Sequence, residues 1–428
     1  MSPPLFPVRD LEALLDARRR TVDPDALATV VPIVESLRRE GESALRRHAE
    51  AFGEIEAGRP LFLDRAALTR ALAAMPRVDR TRLERVAARI RRFAELQLEG
   101  VSPIDVSVPG GAAGHRFAPM DRAGCYAPGG RYPLPSSVLM TVIPARVAGV
   151  STTWVASPRP APSVLAAAHV AGADGLLAAG GAHAIAALAF GVGPVPPSDI
   201  VVGPGNRFVT AAKYAVAADV AIDMLAGPSE LVVLADDSAD PEVVAADLLA
   251  QAEHDPNALT ILVSTAPELI PAVAAAMTAQ LEDLPTAGVA RQSLANGGTI
   301  VARSVDEAIA VCDRIAPEHL AIVTRDADAV ASRCRHYGAV FIGCGAGEVL
   351  GDYGAGPNHT LPTGGSARRA GALSPLTFLR VQSWLRIDDP GGATALAEDA
   401  AWLGRVEGLE GHARSAERRV GADARTGG

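Results

Sequence analysis

Lysine is all but missing: Lys213 stands alone among 40 basic residues, so arginine carries nearly all the positive charge. Any Schiff-base chemistry is therefore confined to one position. Cysteine is scarce too. Cys125, Cys312, Cys334 and Cys344 lie far apart with no C-x-x-C pair, which reads as reduced thiols in a cytoplasmic protein. No stretch approaches the ~20 apolar residues of a membrane span. The opening "MSPPLFPVRDLEALLDARRR" has no apolar leader core. A net charge of -9, with no run of one sign, argues against a nucleic-acid protein. The dinucleotide fingerprint G-x-G-x-x-G is absent as well. "GCGAGEVLG" comes near it, but Glu348 occupies the place of the third glycine.

What is present is apolar and periodic. Hydrophobic residues make up 49% of 428, too many residues for one core and enough for two or more domains. Residues 10 to 100 read as helix, with apolar residues at three- and four-residue steps and arginines opposite. From about Ala123 short β-rich runs alternate with alanine-rich ones: "TWVAS", "PSVLAAAHVAGA", "GLLAAG", "HAIAALAFGV", "DIVVG". A second series begins at "ELVVLAD" and ends at "AVFIG". Such repetition predicts an α/β fold of two related Rossmann-like domains, each a mostly parallel sheet flanked by helices. After about Leu379 the pattern returns to helix and ends in a Gly/Arg-rich tail.

Several loops carry chemistry-bearing residues. "VVGPGNRFV" (Gly203 to Asn206) and "YAPGGRYPLPSS" (Tyr126 to Ser137) each lead from a strand into a helix start. Each is either an anion cradle or a turn capped by Asn or Ser. In "LLAQAEHDPN", Gln251 and His254 share one helix face near its C-terminal end. That end lies on the rim opposite the usual sites of an α/β sheet, which counts against a ligand role unless the site lies between domains. In "RIAPEHLAIV", Pro317 stops a helix and leaves Glu318 and His319 as an acid–base pair on a turn. "LGDYGAGPNHTLPTGG" reads as a long loop holding Asp352, an oxygen ligand, with Asn358 and His359. Glu407, Glu410 and His412 in "VEGLEGHARSAE" read as a solvated helix face, and His48, His115, His169 and His336 as structural. Gln, two His and Asp suit a zinc or similar divalent site between domains or subunits, though spacing alone does not assemble it.

The motifs "GCYAPGGRYPLPSSVLM", "GPGNRFVTAAK", "DMLAGPSELVVLAD", "DLLAQAEHDP", "APEHL" and "GDYGAGPNHTLPTGG", in that order, resemble those of histidinol dehydrogenases. The resemblance implies oxidation of L-histidinol to L-histidine through an enzyme-held histidinal, with two NAD⁺. It implies zinc on Gln251, His254 and Asp352 of one subunit and His412 of the other subunit of a homodimer. His319 would be the general base and Glu318 the group that activates water. Ser229, His359 and Glu407 would contact substrate, together with Gln251, His254, Glu318, Asp352 and His412. Tyr126, Asn206 and the residue at 183 would contact NAD. There the chain departs from the family, with His183 in "GGAHAIAAL" where glutamine is usual. Implied boundaries are a helical arm 1–20, a metal domain 21–123 plus 230–373, an NAD domain 124–229, and a dimer-swapped extension 374–428. Relatives with the same metal set that oxidise another small polar alcohol, an amino alcohol or sulfonate diol, are the alternative. A metal hydrolase or binding protein on this scaffold is a more distant one.

Overall fold

Runs of valine, leucine and isoleucine form the strands, and the alanine-rich stretches between them form the helices. The computed structural model describes residues 6–16, 21–55, 60–129 and 132–420. The strands are β1 (Phe62–Asp64), β2 (Ile104–Val108), β3 (Gly111–Pro119), β4 (Arg122–Tyr126), β5 (Thr152–Ala156), β6 (Gly175–Leu177) and β7 (Ile200–Val202). They continue as β8 (Ala221–Ile222), β9 (Glu230–Ala235), β10 (Leu259–Ser264), β11 (Gly298–Val301), β12 (His319–Val323), β13 (Ala339–Ile342) and β14 (Leu379–Ile387).

Two sheets realise the expected α/β pair. One runs β1-β6-β5-β4-β7-β8, parallel except for β1; the other runs β11-β10-β9-β12-β13, parallel throughout. Counting parallel strands alone, both follow the order third-second-first-fourth-fifth, a doubly wound half. The central strand β9 ("ELVVLA") is buried at every position, as a strand covered on both faces must be. Helices between strands begin with proline in the first turn, as at Pro135 and Pro162, and end on glycine in the left-handed conformation, as at Gly149 and Gly172.

Residues 24–64 depart from the expected grouping. Helices Pro24–Glu40 and Glu42–Ala51 bury Val30, Val34, Leu37 and Leu45 with Ile185, Leu188 and Val216 of the first sheet's helices. β1 extends that same sheet. Helix Arg77–Glu99 instead meets the chain after β13, where Arg89 Nε donates to the Gly354 carbonyl at 2.6 Å. Of the arm, the described residues pair with the edge strand β11 through a Val8–Thr299 bridge, followed by helix Leu11–Asp16. Residues 1–5 and 17–20 of the arm, and the tail from 421, lie outside the described residues.

Residues 98–119 and 379–428 form a second compact unit. Helix was expected after Leu379, but β14 comes first and pairs antiparallel with β3, which pairs with β2. Its sequence "LRVQSWLRI" alternates Leu379, Val381, Ser383, Leu385 and Ile387 against Arg380, Gln382, Trp384 and Arg386, a period of two. Helices Thr394–Val406 and Glu410–Val420 follow. Among this unit's described residues only Ala393, Ala401, Gly404 and Ala413 are buried, while Trp402 and Val406 are 64% and 65% exposed.

The lone lysine has a structural post. Lys213 is buried, with Nζ paired to Asp223 and donating to the Gly203 carbonyl at 3.0 Å. Asp223 also accepts from the Gly203 and Met224 N–H groups, so the pair clamps the turn after β7. An ammonium tied in this way is no Schiff-base nucleophile. Lys213→Met, which leaves the Asp223 carboxylate buried without its cation, should destabilise the protein by roughly 3–5 kcal/mol in chemical denaturation. A loss below about 1 kcal/mol would show that the clamp carries no weight.

Candidate active site

The residues singled out as an acid–base pair sit at the amino edge of the second sheet. Helix Val305–Ile315 ends at Ala316 in the left-handed conformation (φ 48°), and Pro317 forbids its continuation. The turn delivers Glu318 and His319 to the head of β12, where His319 lies opposite Leu231 of β9. The Glu230 backbone grips both: its N–H donates to Glu318 Oε2 at 2.8 Å, and its carbonyl accepts from His319 Nδ1 at 3.0 Å. A carbonyl only accepts, so Nδ1 carries the proton and Nε2 faces the site. Nε2 is buried without a hydrogen-bond partner and lies 3.5 Å from Asp352 Oδ1.

Helix Pro241–Ala252 brings its C-terminal end to the same edge, with Gln251 buried in the last turn and His254 exposed two residues beyond. After β13 the chain folds back through Gly343–Gly347 into helix Glu348–Asp352. Asp352 was expected in a loop but ends this short helix. Its partner on the helix, Glu348, is buried with Oε2 3.9 Å from His319 Nδ1. With the Gln251 amide nitrogen turned to Glu348, it donates at 3.1 and 3.2 Å to the two carboxylate oxygens. The other orientation would set the amide oxygen against acceptors.

Three acids thus surround one imidazole. Burial pushes Glu318 and Glu348 each up to about 8, against the pull of the His319 charge. Burial alone would lower His319, but Glu318, Asp352 and Glu348 outweigh it and drive it up to about 10. Asp352 stays below its usual value: burial raises it, but the nearby His319 ring and its charge, with the charges of His359 and His254, prevail. Taken alone, the pocket holds more acid than its histidines balance.

The rim objection to Gln251 is met by the way the sheets face each other. His359 lies against the Ser136 backbone, and Asn358 Nδ2 donates to the Met140 carbonyl at 2.7 Å. Ser136 and Met140 belong to helix Pro135–Ala148, which starts beyond the carboxyl end of β4. The amino edge of the second sheet therefore abuts the carboxyl edge of the first, where α/β sheets place their ligands. Tyr126 ends β4, its buried hydroxyl accepting from the Gly181 N–H at 3.1 Å and its pKa pushed up to about 12 by burial. A side chain at Gly203 (φ 120°) would strike the Tyr126 carbonyl. Asn206 is a helix cap, accepting from the N–H groups of Phe208 and Val209 at 3.0 and 3.2 Å.

His183 is buried with one ring nitrogen engaged and Nδ1 left without a hydrogen-bond partner. Its Nε2 lies 2.8 Å from Glu54 Oε2, and its ring stacks on Phe52 at 5.4 Å. Glu54 also accepts from the Gly180 N–H at 3.1 Å. Ser229 precedes β9 and is half-buried. Glu407 and His412 are exposed and belong to the second unit. Sequence reading missed Glu348 as part of the cluster; its place in a failed glycine fingerprint was the one signal. Among the described residues no group of three or more His, Cys, Asp or Glu side chains is arranged to hold a metal ion. The expected set contributes only His254 and Asp352 of those types, beside Gln251, from this unit.

Two doubly wound sheets abutting at a buried acid–imidazole cluster define an α/β enzyme of the Rossmann-like class. The family model described as histidinol dehydrogenase matches residues 16–420. Histidinol dehydrogenase of Thermus thermophilus is 43% identical over 417 residues, 97% of this chain and 100% of that protein. That of Halobacterium salinarum is 47% identical over 399 residues, 91% of this chain and 92% of the relative. The crystal structure of histidinol dehydrogenase from Elizabethkingia anophelis superposes with a TM-score of 0.91 at 29% identity, covering 99% of both chains. The chain belongs to the histidinol dehydrogenase family.

The position of His183 has a measurable consequence. His183→Ala leaves Glu54 short of a partner and should cost about 1–3 kcal/mol of stability. NAD⁺ affinity should fall less than about tenfold. A fully stable variant with NAD⁺ binding weakened a hundredfold would put the ring in the cofactor site instead.

Proposed function

We propose that this protein oxidises L-histidinol to L-histidine in a cytoplasmic biosynthetic role, using two NAD⁺ per turnover and one zinc ion per site. The observation that carries the reading is the His319 ring, its Nδ1–H held by the Glu230 carbonyl and its buried Nε2 left without a partner beside Asp352.

Family membership supports the substrate, and the donor set supports a cation. Buried Nε2 atoms of His319 and His359 have no hydrogen-bond partner, and both rings act on Asp352. The acids outnumber the imidazole they surround, and Gln251 and Asp352 offer the oxygen donors that zinc accepts beside histidine nitrogen. Gln251, His254 and Asp352 would hold the ion with His412 of a second subunit. When bound, the ion would anchor the substrate's imidazole and amino nitrogens and offset the acid charge that otherwise keeps a second proton on His319.

The chain's own groups then divide the work. In the first step His319 Nε2 takes the alcohol proton as hydride passes from the carbinol carbon to NAD⁺, leaving the aldehyde. Glu318, which burial brings near neutrality, takes a proton from the water that adds to the aldehyde, since only the hydrate has a second hydride to give. In the second step His319 accepts the proton of that hydrate as hydride leaves again, and the carboxylate forms. Ser229, His359 and Glu407 would hold the substrate.

The cofactor belongs in this reading to the carboxyl edge of the first sheet and the metal to the half built on β9–β13. There Tyr126 has a hydroxyl hydrogen and Asn206 an amide nitrogen to offer, the oxygens of both being engaged already. Glu407 and His412 require a second copy of the chain. The second unit supports that requirement: it buries no side chain larger than alanine among its described residues and exposes Trp402 and Val406. Free cysteines at 125, 312, 334 and 344 accord with a cytoplasmic setting, and among the described residues no helix is long and apolar enough to cross a membrane.

Zinc-loaded protein should yield two NADH per L-histidinol consumed, and chelation should abolish both. Glu318→Gln should stop after one. No NADH from L-histidinol, with one NADH per turnover from an amino alcohol or sulfonate diol, would overturn the assignment. Equal mixing of His412→Asn and His319→Asn chains, each inactive alone, should restore about one quarter of wild-type activity, because half the dimers are mixed and each carries one complete site. Failure to recover would place every metal ligand on one chain.

A further inference from the structure

We infer that Glu348 is the positioning residue that fixes which atom of Gln251 faces the metal, an inference that rests on the zinc reading above. A glutamine amide coordinates only through its oxygen, because its nitrogen bears two hydrogens and no available lone pair. The two ends of the amide are nearly equal in size, so packing alone does not choose between them. Electrostatics chooses here. Both oxygens of Glu348 lie within 3.1 and 3.2 Å of the Gln251 amide nitrogen, and both side chains are 1% exposed. With the nitrogen held against a buried carboxylate, the oxygen is the end presented away from Glu348.

Helix geometry ties this pin to the rest of the site. Glu348 and Asp352 are four apart on one short helix and so share a face. One element thus carries both a proposed ligand and the group that orients another. The helix start is seated against the Gln251 helix: a Cβ at Gly347 would lie 3.3 Å from Asp247 Oδ1, one turn before Gln251. The same Glu348 carboxylate faces His319 Nδ1 at 3.9 Å, so it lies behind both the metal-facing amide and the base. Its oxygens are engaged by the amide.

The test uses the full-length protein and zinc itself, with affinity read by competition against a chromophoric chelator and the ligand set by the visible spectrum of the Co²⁺ form. Glu348→Leu, similar in size and unable to accept, should weaken zinc about 10–100-fold and alter the cobalt spectrum. Glu348→Gln, whose oxygen still accepts from the Gln251 nitrogen, should lose less than tenfold. The swap Gln251→Glu/Glu348→Gln keeps every heavy-atom position, presents oxygen to the metal either way, and should bind within tenfold of wild type with a spectrum close to it. Zinc binding by Glu348→Leu within threefold of wild type with an unchanged cobalt spectrum would overturn the inference. So would a hundredfold loss in the swap, which decides the matter if the leucine variant does not fold. Wild-type protein that takes up no zinc would instead remove the metal reading beneath it.

Discussion

The site depends on the backbone of one residue, Glu230 at the head of β9. Its N–H holds Glu318 and its carbonyl holds His319, so one strand end fixes both the orientation of the acid and the tautomer of the imidazole. Parallel register makes this possible. Because His319 stands opposite Leu231, the pair rests against Glu230, the first residue of the neighbouring strand. A shift by one residue would turn His319 to the other face of the sheet. The turn that prevents such a shift is itself over-determined, with Pro317 blocking the helix and Ala316 held at φ 48°.

Around that residue the chain has placed more acid than imidazole. Glu318 and Glu348 are both driven to about 8 and His319 to about 10, so near neutral pH the two glutamates hold protons and the imidazole keeps its charge. A buried arrangement of this kind would be a poor way to stabilise a fold, since unpaired carboxylates cost desolvation and repel each other. It is a sound way to receive a cation and a substrate amine. The contrast with Lys213 and Asp223 is instructive: there a buried pair is mutually neutralised and braces a turn, and no group is left over for chemistry.

The two sheets, the Glu318–His319 turn and the helix end that carries Gln251 were legible because each rests on local pattern: strand-helix alternation, a helix-stopping proline, polar residues ending an apolar helix. What escaped was set by distance along the chain. β14 pairs with β3 across more than 250 residues, and its own alternation was masked by the helical residues that follow. Helices 24–51 read correctly as helices, yet which sheet they cover depends on a packing surface that periodicity does not name. Glu348 was noticed only as a defect in a glycine motif. Its role became visible once the fold-back after β13 set it against Gln251. His183 shows the converse, a motif position whose ring is claimed by Glu54 and Phe52 from a distant helix hairpin.

The amino edge of a parallel sheet is a poor site by itself, since ligands of α/β folds gather at the carboxyl edge. Abutting a second sheet's carboxyl edge against it changes the balance. Strand ends and helix starts of the first sheet then face the acids of the second, and in the proposed reading a dinucleotide at one edge and a cation at the other would address a substrate between them. His359 lies at that seam, set against Ser136 of the first half and acting on Asp352 of the second. Neither half alone assembles the donors, and among the second unit's described residues only alanine and glycine are buried. Catalytic competence in this design therefore follows from burial at interfaces rather than from any single domain, which is why no compact sequence motif announces it.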